Sequence, residues 1–468
     1  MLLQTLPAAP GRLLPLAPLW KALHARSTPK AGEVRVATTG DDRCVAVLAY
    51  CAAGASTFER LAIAGRALKA LAAVRPLPAR IGALAGARTD SERWLLLEAI
   101  AAAASAHGFG LPSAKAEPRP LIAEVHLFGA RARDIARMQA SADATNLVRH
   151  LTALPPNQLD ARAYRRLCAA LARRHGLRME WLGERQLTRA GAGAFLAVSR
   201  GSATRDAGIA HLSWRPPGHT GPPDVALVGK GIVFDTGGTN LKPHRSMLDM
   251  HTDMAGSAVV LSALVAIATL KPRVAVDAWL AITDNAIGSR AYRPQEVIRA
   301  ANGTSIQIIH SDAEGRLVLA DALTLAARTQ PRTIIDFATL TGACVYALTE
   351  RRSGVFANRD DLRDALCGAG VASGERLWPF PLDEDYDSDL DSAVADIAQC
   401  AVEGKGDHIL AARFLQRFVP ETQAWAHVDL SSATRHGGLA HVPTEITGFG
   451  VRLTLSLLLD GGLPGSSL

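Results

Sequence analysis

The chain has 468 residues, 48% hydrophobic and 20% charged, which describes a globular protein long enough for two domains. No apolar run reaches the length needed to span a bilayer. The six cysteines (Cys44, Cys51, Cys168, Cys344, Cys367, Cys400) form no C-x-x-C pair, so a structural zinc or disulfide framework is excluded in favour of a reducing, cytoplasmic setting.

The formal charge of +7 is uneven: residues 1–150 hold 19 Lys and Arg against 11 Asp and Glu, and the rest is nearly balanced. A nucleic-acid surface is one reading of that excess. The arginines are dispersed among alanines without aromatics, however, and read better as a solubilising face. The apolar, acid-free N-terminal stretch raises a targeting question. It lacks a basic leader, and Pro7, Pro10, Pro15 and Pro18 interrupt it, so a cytoplasmic chain is expected, with an organellar presequence as the alternative.

From residue 33 the pattern alternates strand and helix. Cys44–Tyr50, Ala79–Leu84 and Ala123–Phe128 read as strands. Thr57–Val74 and Trp94–Ala106 read as helices, the second capped by Asp90 or Ser91. Pro112–Pro120 reads as a linker-like loop. Residues 1–129 are thus a small α/β domain without recognisable chemistry. Ala130–Leu154 reads as a connecting helix with an apolar stripe of Ile135, Met138, Ala142, Leu147 and Leu151. It stops at Pro155-Pro156.

Residues 155–468 form the second, larger domain. Helices are expected at Ala161–His175, Ala255–Leu270 and Leu317–Arg328, the last opened by Arg316. Strands are expected at Ala207–Leu212, Val225–Phe234, Val274–Ile282, Thr304–Ile309 and Thr333–Ala338. Near-continuous apolar strands between helices imply a mostly parallel sheet covered on both faces. Ligands gather beyond the carboxyl ends of such strands.

Lys230, Asp235, Asp253, Asp312 and Glu314 fall at those ends or at the start of the following helix, with Lys242 and Arg316 interleaved. Four carboxylates and a lysine suit hard divalent ions such as manganese, magnesium or zinc. One cation does not need four carboxylates; a pair of metals sharing bridging carboxylates does, and such pairs hydrolyse bonds. Gly237-Gly238 would let the backbone approach the ions closely. Each piece has a plainer meaning when taken alone. Gly-Lys-Gly is usually a turn, Asp-x-Glu a solvated loop, and Asp253 the cap of the helix behind it. Their conjunction in one order is what the plainer readings do not explain. No phosphate loop surrounds Lys230, and no H-E-x-x-H occurs among the fourteen histidines.

These motifs resemble the leucyl aminopeptidase family of two-metal exopeptidases. The matching text is VGKGIVFDTGG (Val228–Gly238) with Leu241-Lys242, MHTDM (Met250–Met254), SDAEGRL (Ser311–Leu317) and DFATLTGA (Asp336–Ala343). Further stretches match at Asp284–Pro294, Arg376–Leu382, Val394–Ile397 and Trp425–Leu430. The resemblance implies two divalent ions, manganese or zinc, with Asp235 and Glu314 bridging. Lys230 and Asp253 would complete one ion, and Asp312 would serve the other. Lys242 would stabilise the oxyanion, and Arg316 would hold a bicarbonate that shuttles protons. The backbone of Thr339, Leu340 and Gly342 would contact substrate, and Met250 would line the pocket for its first side chain. The family further implies short peptide substrates and a homohexamer.

No ligand position departs from the family text, but four other places do. They are His310, His251, the Thr349–Gly354 stretch and the segment Gln399–Ala412, QCAVEGKGDHILAA. Cysteinylglycine-type dipeptidase specificity, a two-metal phosphatase and a DNA-binding scaffold on the basic first domain are the alternatives.

Overall fold

The computed structural model describes residues 1–5, 21, 27–38, 45–74, 80–87, 89–115 and 122–464. The four N-terminal prolines, Cys44, Ala79 and residues 116–120 of the expected linker lie outside them. The chain divides into two units. One is Met1–Asn146 with Val371–Gly374 and Thr434–Thr447; the other is Leu147–Gly370, Glu375–Ala433 and Gly448–Leu468. The division falls inside the helix Ala132–Thr152, which carries the chain from the first unit to the second. Ile135, expected on that helix's apolar stripe, is 43% exposed, whereas Met138, Val148 and Leu151 are buried.

The first unit holds a five-stranded sheet: β1 (Leu2–Thr5), β2 (Val34–Thr38), β3 (Val45–Cys51), β4 (Arg80–Gly86) and β5 (Glu124–Leu127), in the order β2-β3-β1-β4-β5. The start of the chain is therefore a central strand, parallel to β3 and β4, with Leu2 and Leu3 buried. Four residues are too few to show a period, so nothing in the sequence marks them as a strand. Two helices, Thr57–Val74 and Asp90–Gly108, pack their apolar faces into the same core. The first starts with a capping box. Ser56 N donates to Glu59 Oε2 at 2.7 Å, and Glu59 N donates to Ser56 Oγ at 3.3 Å. The second is capped by Thr89, not Asp90 or Ser91. Its hydroxyl accepts from Glu92 N at 3.2 Å, leaving Asp90 in the first turn, where the helix dipole favours an acid.

In the second unit the strands are β6 (Arg178–Gly183), β7 (Gly208–Trp214), β8 (Val225–Asp235), β9 (Val276–Asn285), β10 (Val297–Arg299), β11 (Ser305–Gln307), β12 (Thr333–Ala338), β13 (Ser353–Ala357), β14 (Leu377–Pro379), β15 (Ile397–Ala398) and β16 (Ala424–Asp429). Eight of them form one sheet in the order β14-β13-β16-β12-β8-β9-β7-β6. β16, β12, β8 and β9 are mutually parallel at its centre, and β7 and β6 run antiparallel at one side. The parallel strands are buried along almost their whole length, as a sheet covered on both faces requires. A small second sheet, β10-β11-β15, brings Ile397-Ala398 alongside Ile306-Gln307.

The helix Ala255–Leu270 packs against the eight-stranded sheet and is buried from Ala255 through Ala268. It belongs to the one described helical stretch apolar enough to cross a membrane, His244–Leu270, and that burial makes it a core helix. Its first turn touches the strands directly. A Cβ on Gly256 would stand 2.0 Å from the Phe337 carbonyl oxygen, and one on Gly229 of β8 would stand 2.5 Å from Ser257 Cα. Backbone lies on both sides, so nothing there can yield. Gly256→Ala should lower stability by about 1–3 kcal/mol or more, the scale of an overpacked core. Thermal denaturation of the variant against the parent chain measures it.

Candidate active site

β8 lies inside the run of parallel strands, between β12 and β9, and its carboxyl end points at the site. Lys230 lies within it and Asp235 is its last residue, just past an irregularity in the pairing with β9 between Ile232 and Asp235. Gly237 and Gly238 follow with left-handed φ of 84° and 65°. A side chain at Gly237 would meet the Asn240 carbonyl at 2.5 Å and Asp312 Oδ1 at 3.0 Å. Glycine is thus required twice over, for its φ and for room beside a carboxylate.

Asp253 sits between the short 3-10 turn Met250–Thr252 and the helix Ala255–Leu270. It does not cap that helix; the cap position is Met254, with no side-chain bond. Instead Asp253 Oδ1 accepts from Thr339 Oγ1 at 2.7 Å, and Oδ2 lies 2.8 Å from Lys230 Nζ. Asp312 comes from the turn after β11. Glu314 is the first residue of the helix Glu314–Ala327, which begins three residues before the expected Leu317.

The geometry brings all seven charged residues expected at the site to one edge of the sheet. Lys230 Nζ lies 2.9 Å from Glu314 Oε1 and donates to the Thr339 carbonyl at 3.1 Å. Lys242 Nζ lies 2.9 Å from Asp235 Oδ2 and 2.5 Å from Asp312 Oδ1. Asp235, Asp312 and Glu314 each offer an oxygen within 4.8 Å of the other two, close enough for one cation to touch all three. Asp253 Oδ2 and Asp312 Oδ1 are buried, each met by one lysine ammonium. Buried carboxylate oxygens gathered this closely fit a hard divalent ion.

Electrostatics describe the same crowding. Burial pushes the Glu314 carboxyl up to about 8, and Asp235 beside it adds to the rise against the opposing pull of Lys230. Burial likewise raises Asp253 to about 6. Burial also raises Asp312, with Asp235 adding to it. The two lysines are raised as well, for the opposite reason. Burial pulls both down, but the surrounding carboxylates outweigh it and hold them well above the ordinary lysine range.

Arg316 is buried in the first turn of the Glu314–Ala327 helix. Its Nη1 donates to the Gln399 carbonyl at 3.1 Å and its Nη2 to Asp407 Oδ1 at 2.7 Å. Of the residues implied to meet substrate, Thr339 gives its carbonyl to Lys230, and the Leu340 N–H donates to Asp429 Oδ1 at 3.1 Å. Leu340 reaches the space beside Gly315 and Lys230. Gly342 begins the next helix, exposed, and Met250 is half-buried in its 3-10 turn.

Several positioning residues go unassigned in the sequence reading. Asn285, at the end of β9, is fully buried, and its Nδ2 donates to Asp235 Oδ1 at 2.8 Å and the Ser311 carbonyl at 3.0 Å. Glu314 Oε2 lies a further 3.4 Å away from it. Ser311 Oγ donates to the Gly237 carbonyl at 2.6 Å and accepts from Asn240 N at 2.7 Å, tying the two acidic loops together. Asn285 lies inside the Asp284–Pro294 match, but a lone Asn carries no spacing signal. Its role depends on where β9 ends.

A carboxylate-rich centre at the carboxyl ends of a parallel sheet, flanked by two lysines and an arginine, defines a metal-dependent hydrolase. Comparison with known proteins makes this specific. Residues 146–455 match the catalytic domain of the cytosol aminopeptidase family. A probable cytosol aminopeptidase of Streptomyces coelicolor is 40% identical over 363 residues, covering 76% of this chain and 68% of that protein. One from Acidovorax sp. strain JS42 is 38% identical over 401 residues, covering 84% and 79%. Among solved structures, the bottromycin maturation enzyme BotP in complex with Mn superposes with a TM-score of 0.87 at 31% identity, covering 99% of each chain. The chain belongs to the cytosol aminopeptidase family, and it is a metal-dependent aminopeptidase.

Asn285→Ala should weaken metal binding by about 10- to 100-fold, the usual cost of losing a group that orients the ligands. Calorimetric titration with manganese measures it. Circular dichroism on the same sample checks that the fold is kept.

Proposed function

We propose that the enzyme releases leucine and similar residues from the N-terminus of short peptides, using two divalent ions held by Lys230, Asp235, Asp253, Asp312 and Glu314. The observation that carries this reading is the meeting of Asp235, Asp312 and Glu314 oxygens within 4.8 Å, with Lys242 directly beside them. Asp235 and Glu314 are read as the bridging pair, Lys230 and Asp253 as completing one ion, and Asp312 as serving the other. Bound there, the ions would lower the pKa of a water and polarise the scissile carbonyl. Manganese is favoured by the oxygen-rich donor set and by its presence in the BotP complex.

The chain's own groups supply the rest. Lys242, held charged by its carboxylate neighbours, donates to the oxyanion that forms on the carbonyl. Backbone groups of Thr339, Leu340 and Gly342 would hold the peptide, and Met250 would face its first side chain. Recognition of a free α-amine would confine cleavage to the first peptide bond. Five described cysteines are free thiols, in keeping with a reducing cytoplasm. A homohexamer, by family resemblance, would exclude folded proteins. Any bicarbonate at Arg316 would have to share the guanidinium with Asp407 and the Gln399 carbonyl.

With manganese added, leucine p-nitroanilide should be hydrolysed, while its N-acetylated form and p-nitrophenyl phosphate should not. Cleavage of the phosphate ester alone would overturn the reading. Asp235→Ala and Glu314→Ala should each abolish turnover and lower metal content, since a bridging ligand serves both ions. Elemental analysis reads the second effect, and full retention of two ions in either variant refutes the bridging assignment.

Lys242→Ala should keep its metals and lose about 10²–10³ in kcat, the scale of one missing oxyanion donor. If metal content falls with activity, Lys242 is instead a ligand.

A further inference from the structure

Arg316 is 2% exposed, so its charge must be met from inside the protein. Both groups that meet it come from one short segment: the Gln399 carbonyl on Nη1 and the Asp407 carboxylate on Nη2. Nε is buried with no hydrogen-bond partner among the described residues. Asp407 is the first residue of the helix Asp407–Gln416, where the dipole favours a negative group, and its side chain remains 27% exposed. This is the segment in which the chain departs from the family text.

Two of the departures, His310 and the Gln399–Ala412 segment, form one connected structure. β15 pairs in parallel with β11 and delivers Gln399 beside the acidic turn. Gln399 Oε1 accepts from the Ile309 and His310 amides at 3.2 and 3.1 Å, and its Nε2 donates to the Ala313 carbonyl at 2.9 Å. His310, itself a departure, accepts from the Asp312 amide through Nδ1 at 3.2 Å. Gln399 and His310 thus brace the turn that carries Asp312 and Glu314, and Asp407 meets the arginine one turn along.

A dissolved bicarbonate would have to compete at Arg316 with a carboxylate that already holds the guanidinium by a charge-assisted bond. We propose that Asp407 is the resident anion of Arg316. As a positioning residue it fixes the guanidinium at the active-site edge and supplies the negative charge, so that turnover is independent of bicarbonate. Removing the Asp407 carboxylate would leave a buried cation unpaired and open a space shaped for a small carboxylate.

The test uses the full chain in bicarbonate-depleted buffer and rests on the aminopeptidase reading only in its activity arm. With manganese, wild-type kcat on leucine p-nitroanilide should not change when bicarbonate or formate is added. Asp407→Ala should lose roughly 10- to 100-fold in kcat, the scale of one charge-assisted hydrogen bond, and either anion should restore it. Asp407→Asn, which keeps shape without charge, should lose kcat as well and serves if the alanine variant does not fold. In the metal-free chain, formate should raise the melting midpoint of the Asp407 variant and leave wild type unmoved. A wild-type rate that climbs with added bicarbonate overturns the proposal, as does an Asp407→Asn enzyme with full kcat in depleted buffer. If no form cleaves the substrate, the aminopeptidase reading fails and the melting arm decides alone. An equal response of variant and wild type to formate then overturns the resident-anion assignment.

Discussion

Four carboxylates share one site with two ammonium groups, and three of the four are almost wholly removed from water. Each buried charge costs several kcal/mol in desolvation, which only close opposite charges repay. Two lysines cannot neutralise four acids, and the remaining excess of negative charge is what bound divalent metal would answer. Lys230 shows how tightly the accounts are drawn: its nitrogen touches Asp253, Glu314 and the Thr339 carbonyl together. A Cβ on Gly315 would lie 2.8 Å from that nitrogen, so any other residue at 315 would push the Lys230 side chain out of this position.

The sheet converts sequence-distant residues into neighbours. Register sets Lys230 beside Ala281 and Gly229 beside Phe337, and places Ala338 beside Asp429. Strands so aligned end together, and the loops leaving their carboxyl ends must share one small volume. Asp235, Asn285, Thr339 and Asp429 meet for that reason. Asp429 takes no part in the acidic cluster but organises its border: its carboxylate accepts from the Leu340 and Thr341 amides and from Thr341 Oγ1. The backbone after β12 is therefore held from below while its Thr339 carbonyl faces Lys230.

Much of this was legible in the residues. The helix Ala161–His175 carries its own stop, with Gly176 left-handed at the C-cap, and Ala255–Leu270 is too apolar to be anything but core. The charged residues of the site announce themselves by spacing against glycine. What stayed hidden depends on three-dimensional closure. β1 is four residues long, β15 only two, and neither length can show a period. Asn285 and Ser311 are uncharged and unremarkable until β9 and the acidic turn are brought together. Glu314 lies three residues ahead of the expected helix start at Leu317, yet it begins the helix and has its charge at the favourable end.

The Gln399–Ala412 segment shows why ligand identity alone does not define such a site. Every charged position of the acidic cluster matches the family text, yet the arginine next to it has a partner drawn from elsewhere in the chain. An exchangeable anion at that arginine occupies it only in proportion to its concentration and gives up translational freedom on binding. A carboxylate attached to the fold has neither cost, because its effective concentration is set by the helix that carries it. The fold gives up something in return. Asp407 cannot leave or bring in a proton from solution as a free ion does, so this arrangement exchanges chemical flexibility for constant occupancy at the edge of the metal centre.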